Sequence, residues 1–255
     1  MKTLIKHLAL GLLVLAGPRM AEAMRVSPTY QVFRLKPGTK TVGELTLTNS
    51  QDHDLMVSPS ASDFYSLPEN KKFKTTDWLQ IENTEFFLKK GESRVIKFVV
   101  SVPRKAKGEL AGNLRFDSRS KEIGPLSLSL SLAIYAAVTG TEKPELKIPA
   151  ISVQLSSHTD VNFLVLNTGN VHLRPRGFVY VYDSKDQLIL NVEINAGVPA
   201  LPSQPRPYGG VIKNYRLPEG RYRAEIALED IDWGISLPVE KRRFLVTKEG
   251  TVEAN

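Results

Sequence analysis

Apolar and polar residues alternate in short runs along nearly the whole chain, with the period of a strand that buries one face. Val42-Gly-Glu-Leu-Thr-Leu-Thr48 alternates and closes at the turn Asn49-Ser-Gln-Asp-His-Asp54, after which Leu55-Met-Val57 starts the next strand. Trp78-Leu-Gln-Ile81 and Glu85-Phe-Phe-Leu88 follow, and Lys89-Lys-Gly-Glu92 is a hairpin turn. Arg94 to Val102 is a strand stopped by Pro103, and Gly108 to Phe116 is another. A polar, proline-punctuated stretch from Gly140 to Pro149 separates these from a second series: Val161–Leu166, Gly177–Tyr182, Gln187–Val192, Tyr222–Leu228 and Arg243–Val246. No window sustains a helical period over three turns. Short strands joined by turn residues predict an all-β chain of two tandem immunoglobulin-like β-sandwich domains, at 24–140 and 150–248, with a linker at 141–149. In both halves an apolar alternation ends at an Asn, Asn49 and Asn167, read as a turn residue that tolerates left-handed backbone.

One run is out of proportion. Pro125-Leu-Ser-Leu-Ser-Leu-Ser-Leu-Ala-Ile-Tyr-Ala-Ala-Val138 places Leu126, Leu128, Leu130, Leu132 and Ile134 on one face and Ser127, Ser129, Ser131, Ala133 and Tyr135 on the other. Fully extended it reaches about 40 Å, about twice a typical strand. It therefore overhangs its own core or serves two sheets in succession. Sheet edges are normally blunted by Lys or Pro, yet no Lys or Arg occurs between Lys121 and Lys143. Residues 132–138 read as core; the leucines from 126 to 130 read as an unguarded edge that another chain's strand could complete.

The N-terminus adds a destination. Lys2 and Lys6 precede the apolar run from Leu8 to Ala16, Gly17-Pro18 breaks it, and Ala21-Glu-Ala23 offers a small-x-small cleavage site. This is the pattern of a secretory signal over 1–23, cleaved near Ala23, and its apolar run is too short to cross a bilayer. The expectation is an exported, periplasmic protein without a transmembrane anchor. The formal charge of +7 drops to about +5 without Lys2, Lys6, Arg19 and Glu22, and its basic residues are scattered. Nucleic-acid readers concentrate basic residues among stacking aromatics, so that partner class is not expected.

Chemistry for catalysis is sparse. There are no cysteines and four histidines, of which His53, His158 and His172 sit in or beside turns without metal-ligand spacing and read as solvated. No serine lies in a Gly-x-Ser-x-Gly elbow. Glu229-Asp-Ile-Asp232 lacks the spacing of a calcium loop and reads as a solvated strand end. The chain is expected to be neither an enzyme nor a holder of a metal or cofactor.

Several pieces, in order, carry a resemblance. Val26-Ser-Pro-Thr29, Lys36-Pro-Gly38 ahead of Leu45-Thr-Leu-Thr-Asn49, Trp78-Leu-Gln-Ile81, Phe87-Leu-Lys-Lys-Gly-Glu-Ser93 and the long alternating strand together resemble the PapD-like pilus-assembly chaperones of the chaperone–usher pathway. The resemblance implies two immunoglobulin-like domains in an L and a long strand lent to a fimbrial subunit, with an outer-membrane usher as a further partner. Leu126, Leu128, Leu130, Leu132 and Ile134 would then be the subunit-binding side chains. The family also grips the subunit's terminal carboxylate with an Arg on the first strand and a Lys on the long one. Here Tyr30 stands where that Arg is expected and the long strand has no basic residue, leaving Arg25, Tyr30 and Arg34 as the candidate anchor positions. The second half, through Asn167-Thr-Gly-Asn-Val-His172 and Leu217-Pro-Glu-Gly-Arg-Tyr222, is also similar to Gram-positive WxL-system surface proteins. The alternative function is an envelope adhesin or scaffold binding cell-wall polymer or glycan, through the basic surface and the proline-rich loop from Pro199 to Pro207.

Overall fold

A computed structural model describes residues 24–82, 84–120, 127–155, 158–195 and 197–248. The signal segment 1–23 and Leu126 lie outside the described residues. In the first half, β1 (Arg25–Ser27), β2 (Tyr30–Leu35), β3 (Lys40–Thr48) and β4 (Leu55–Ser66) lead to a 3-10 turn, Pro68–Asn70, and the four-residue helix α1 (Thr75–Trp78). β5 (Leu79–Ile81), β6 (Phe86–Leu88), β7 (Ser93–Ser101), β8 (Glu109–Arg119) and β9 (Ser127–Val138) follow. They form two facing sheets, β1-β3-β7-β5 and β2-β9-β8-β4-β6, around Leu47, Trp78, Phe98, Leu114 and Phe116. Every pairing is antiparallel except β2 with β9.

The second half comprises β10 (Leu146–Leu155), β11 (Thr159–Asn167), β12 (Pro175–Tyr182), β13 (Leu188–Ile194), β14 (Pro205–Ile212), β15 (Gly220–Asp230), β16 (Ile235–Ser236) and β17 (Glu240–Val246). Its sheets run β10-β11-β14 and β13-β12-β15, with β16 and β17 both paired to β15. Phe163, Val165, Val179, Ala224, Ile226 and Phe244 fill the space between them. The architecture is all-β, as the alternation predicts.

Local departures have local causes. Trp78 ends α1 instead of starting a strand, because Lys74 and Asp77 close a capping box at the helix start. β10 starts at Leu146, inside the expected linker; Pro149 cannot donate to a ladder, and the register shift between Lys147 and Ala150 absorbs it. β14 starts at Pro205, within the proline-rich stretch from Pro199 to Pro207. The matched asparagines work differently from expectation: neither adopts positive φ. Asn49 Nδ2 donates to the carbonyls of His53 and Leu88, and Asn167 Nδ2 to those of Val171 and Ala200. Each Oδ1 accepts the N–H two residues on, from Gln51 and Gly169 respectively. Both are fully buried Asx turns that staple one strand end to a neighbouring loop.

Candidate functional site

β9 has two edges with different fates. β8 pairs along almost all of it, from Arg119 opposite Ser127 to Glu109 opposite Ala137. β2 pairs only with Ala133 to Val138. Among the described residues nothing is hydrogen-bonded to that side of β9 between Ser127 and Leu132. The cause lies in the sequence before β2: β1 pairs with β3 in the opposite sheet, and the chain crosses between sheets at Pro28, which has no N–H to donate. The segment that would have covered the lower part of β9 belongs to the other layer.

Side chains along this margin grade from outside to inside. Leu128, opposite Ser118, is 39% exposed. Leu130, opposite Phe116, is half-buried against the core. Leu132 and Ile134 are buried in the chain's own core, and Ile134 is already flanked by Gln31 of β2. On the outer face Ser127, Ser129 and Ser131 are exposed beside β8. The charges there are spent on one another: Arg115 with Asp117 at 2.9 Å and Arg119 with Glu85 at 2.9 Å. Ser129 Oγ donates to Asp117 and accepts from Arg115 at 3.0 Å. The margin is thus electrically neutral, greasy on one face and short-chained on the other.

Beyond Ala133 both faces of β9 are buried, because the second half packs on the outer one. Ala111, Tyr135 and Leu201 form a small core there with Tyr30, Val32 and Tyr65 around it. Tyr135 stacks on the His172 ring at 3.7 Å between centroids. His172 is pinned from three sides. Its backbone N–H donates to Glu109 Oε1 at 3.0 Å, Nδ1 lies 2.6 Å from Glu109 Oε2, and Nε2 lies 3.0 Å from Asp232 Oδ2. With a carboxylate at each ring nitrogen, both nitrogens donate and the ring is an imidazolium. Burial by itself would lower the His172 pKa; the Glu109 and Asp232 carboxylates outweigh it and bring the pKa up to about 9.

Asp232 is the hub. Besides His172 it accepts from the Tyr30 hydroxyl at 2.9 Å, and Arg174 Nε lies 3.1 Å from Oδ2 as an ion pair without hydrogen-bond alignment. The Arg174 guanidinium also lies over the Tyr30 ring at 3.9 Å. Burial would raise the Asp232 carboxyl, but the His172 contacts hold it below the ordinary range. Asp230 shapes the loop by accepting the backbone N–H groups of Arg174, Asp232 and Trp233. Trp233 Nε1 returns a hydrogen bond to the His172 carbonyl at 2.9 Å.

Of the candidate anchor positions, Tyr30 and Arg34 both meet the chain's own loop. Arg34 donates to the Asp232 carbonyl and stacks over Trp233 at 4.8 Å. Arg25 lies on β1 in the other sheet and donates to Ser50 Oγ at 2.8 Å. The structure overturns the solvated reading of His172 and His53, both buried, and of Asp230, which is buried while Asp232 is half-buried and Glu229 stays exposed. No local signal marks this, since Glu109 and His172 are 63 residues apart and Tyr30 and Asp232 are 202 apart.

No protein-family model matches the chain, and neither does any curated protein. Solved structures match over most of its length. The YadV chaperone is 11% identical with a TM-score of 0.48, covering 87% of this chain and 100% of that one. The E. coli chaperone DraB is 13% identical with a TM-score of 0.41, over 86% and 97%. A CsuC–CsuE chaperone–tip subunit pre-assembly complex from Acinetobacter baumannii gives 12%, 0.45, 86% and 98%. The chain is similar in fold to these chaperones.

Proposed function

We propose that this protein is a periplasmic chaperone for fimbrial subunits that lends the open edge of β9 to an incomplete sandwich. The observation that supports the reading is the unpaired margin from Ser127 to Leu132, carrying Leu128 and Leu130 with no basic residue to guard it. Proteins ordinarily blunt such edges because a free row of N–H and C=O groups templates another strand. A client strand laid along it gains backbone hydrogen bonds from the ladder and apolar contact from the two leucines. Tyr30 and Arg34 are committed to the Asp232 loop, so recognition rests on the edge itself and not on a grip at a terminal carboxylate.

The test is a double substitution, Leu128→Glu with Leu130→Glu, followed by co-expression with a candidate subunit and affinity capture. The reading expects capture to fall at least tenfold while the far-ultraviolet circular dichroism stays that of a β protein. Undiminished capture by a folded double variant discards it.

A further inference from the structure

Basic residues that are scattered along the sequence are gathered by the fold at one end of the first sandwich. β9 finishes there, with Ala137 opposite Glu109 and Val138 beside Leu35, and Lys40 meets Ser101 and Ser66 meets Leu110 at the same end. Three connections therefore emerge together: the turn after β2, the segment after β4 that holds α1, and the loop after β7. Hydrogen bonds hold them side by side. Gly38 N–H donates to the Val102 carbonyl at 2.8 Å, and Val102 N–H to the Thr39 carbonyl at 2.9 Å. The buried Asn70 donates to the Lys107 carbonyl at 2.6 Å and accepts the Lys107 N–H at 3.2 Å. Lys36 and Lys40 flank the first connection, Lys71, Lys72 and Lys74 stand on the second, and Arg104, Lys105 and Lys107 on the third. All eight are exposed, and among the described residues none has an ion-pair partner. The carboxylates on these connections are Glu69 and Asp77, so the end carries a net charge of +6 while the rest of the chain after residue 23 is close to neutral.

We propose that this basic end docks the protein on a membrane surface rich in anionic phospholipid. A Lys or Arg held near such a surface adds about fivefold to binding, and the attraction fades within a Debye length of about 10 Å. Seven of the eight cations are lysines, hydrated point charges suited to a diffuse layer of headgroups, whereas planar, two-pronged recognition of a single phosphate favours arginine. A single-stranded nucleic acid needs a succession of open aromatic platforms. None is present on these connections: Trp78 is buried, and Phe73 is half-buried with Lys72 Nζ over its ring at 5.1 Å. One ring beside them is open, Phe64 at 42% exposure, in a cleft shared with Lys71 and Lys74. A single phenylalanine among lysines is the composition of a surface that rests at the boundary between headgroups and acyl chains. The unpaired margin of β9, residues 127–131, begins about 25 Å down the strand from Val138 and ends about 35 Å from it. Docking by the basic end therefore leaves that margin clear of the membrane. The two surfaces share no residue, and the docking does not rest on the chaperone reading.

The test is co-sedimentation with vesicles of phosphatidylcholine, with and without one-third phosphatidylglycerol. The protein is the exported chain, its start at Met24 checked by mass, so that the apolar run from Leu8 to Ala16 takes no part. It should sediment with the phosphatidylglycerol vesicles and not with phosphatidylcholine alone. Salt at about 1 M, where the Debye length is about 3 Å, should release it. Lys71→Glu, Lys72→Glu, Lys105→Glu and Lys107→Glu together should weaken binding on the order of a hundredfold or more. A control with the same change of net charge, Lys89→Glu, Lys90→Glu, Lys185→Glu and Lys213→Glu, replaces four exposed lysines on other loops and should bind far more tightly than the first variant. Equal losses in the two variants would mean that net charge acts and the patch does not, which overturns the proposal. So would a wild type that binds both kinds of vesicle alike or neither, a comparison that needs no variant to fold. Capture by heparin or single-stranded DNA without vesicle binding assigns the patch to another polyanion and likewise overturns it. Intact subunit capture without vesicle binding overturns the docking alone, and vesicle binding without subunit capture overturns the chaperone reading alone.

Discussion

His172 is an imidazolium with no exposed surface, held between Glu109 and Asp232 under the Tyr135 ring. Such a group is tolerated inside a protein only while every donor has its acceptor. Removing one partner leaves a buried charge uncompensated, so Glu109→Ala should cost about 3–5 kcal/mol of stability by denaturant unfolding. The pH dependence follows from the raised pKa. A histidine whose folded pKa exceeds its unfolded value of 6.5 stabilises fully below about pH 6.5 and loses that contribution as pH climbs through about 9. Urea midpoints of the wild type should therefore fall between pH 7 and pH 10. In His172→Gln that slope should flatten, and an unchanged slope would show that the imidazolium does not carry it. At the acid end Asp232 works oppositely: its lowered pKa gives stability present at neutral pH that drains as the pH drops below the ordinary carboxylate range.

Among the elements, β9 shows how one strand serves two purposes. Its upper part is covered on both edges and both faces, and its lower part has one edge that no described residue pairs, because β1 and β2 part company at Pro28. The position of β2 is set by close packing against the opposite sheet. Phe33 meets Phe98 edge-to-face at 5.9 Å, and that pair sits directly over Gly43 of β3. A Cβ at Gly43 would lie 2.3 Å from the Phe98 ring and 2.8 Å from Phe33. Gly43→Ala should cost about 1–3 kcal/mol through overpacking, read as a lowered melting temperature. A melting temperature at or above that of the wild type would mean the two rings step aside freely. The periodicity of β3, β7, β9 and β15 was legible because alternation is local. α1 and the two-residue strand β16 were not, since caps and tertiary neighbours decide segments of so few residues.

Across the whole molecule, the two sandwiches are braced against one another. Lys143 and Glu145 offer their carbonyls to Asn170, Thr168 and Gly169, and Asn170 Nδ2 donates to the Thr141 carbonyl, pinning the connecting segment to the second half. Gly108 sits at a φ of +63°, and a Cβ there would lie 2.6 Å from the Asn170 carbonyl oxygen, so the halves meet where only glycine fits. Tyr65 donates to the Pro202 carbonyl at 3.2 Å on the other side of the joint. Tandem domains move relative to one another by default unless the interface resists it. Here the buried ion network resists it. The wild type should unfold in one calorimetric transition, whereas Glu109→Ala should split it into two and enlarge the radius of gyration in X-ray scattering. Two transitions in the wild type would instead mark the joint as loose.

The sequence by itself determined the all-β class, the division into two strand series and the existence of a long unguarded alternation, because each of these is written in neighbours a few residues apart. Which leucines of that alternation are free was decided only by the fold, since it depends on where β2 arrives beside β9. The same holds for His172, Glu109 and Asp232, which look like ordinary surface residues along the chain. Their charge state and their burial are properties of partners brought together from both halves, and no spacing within either half records them.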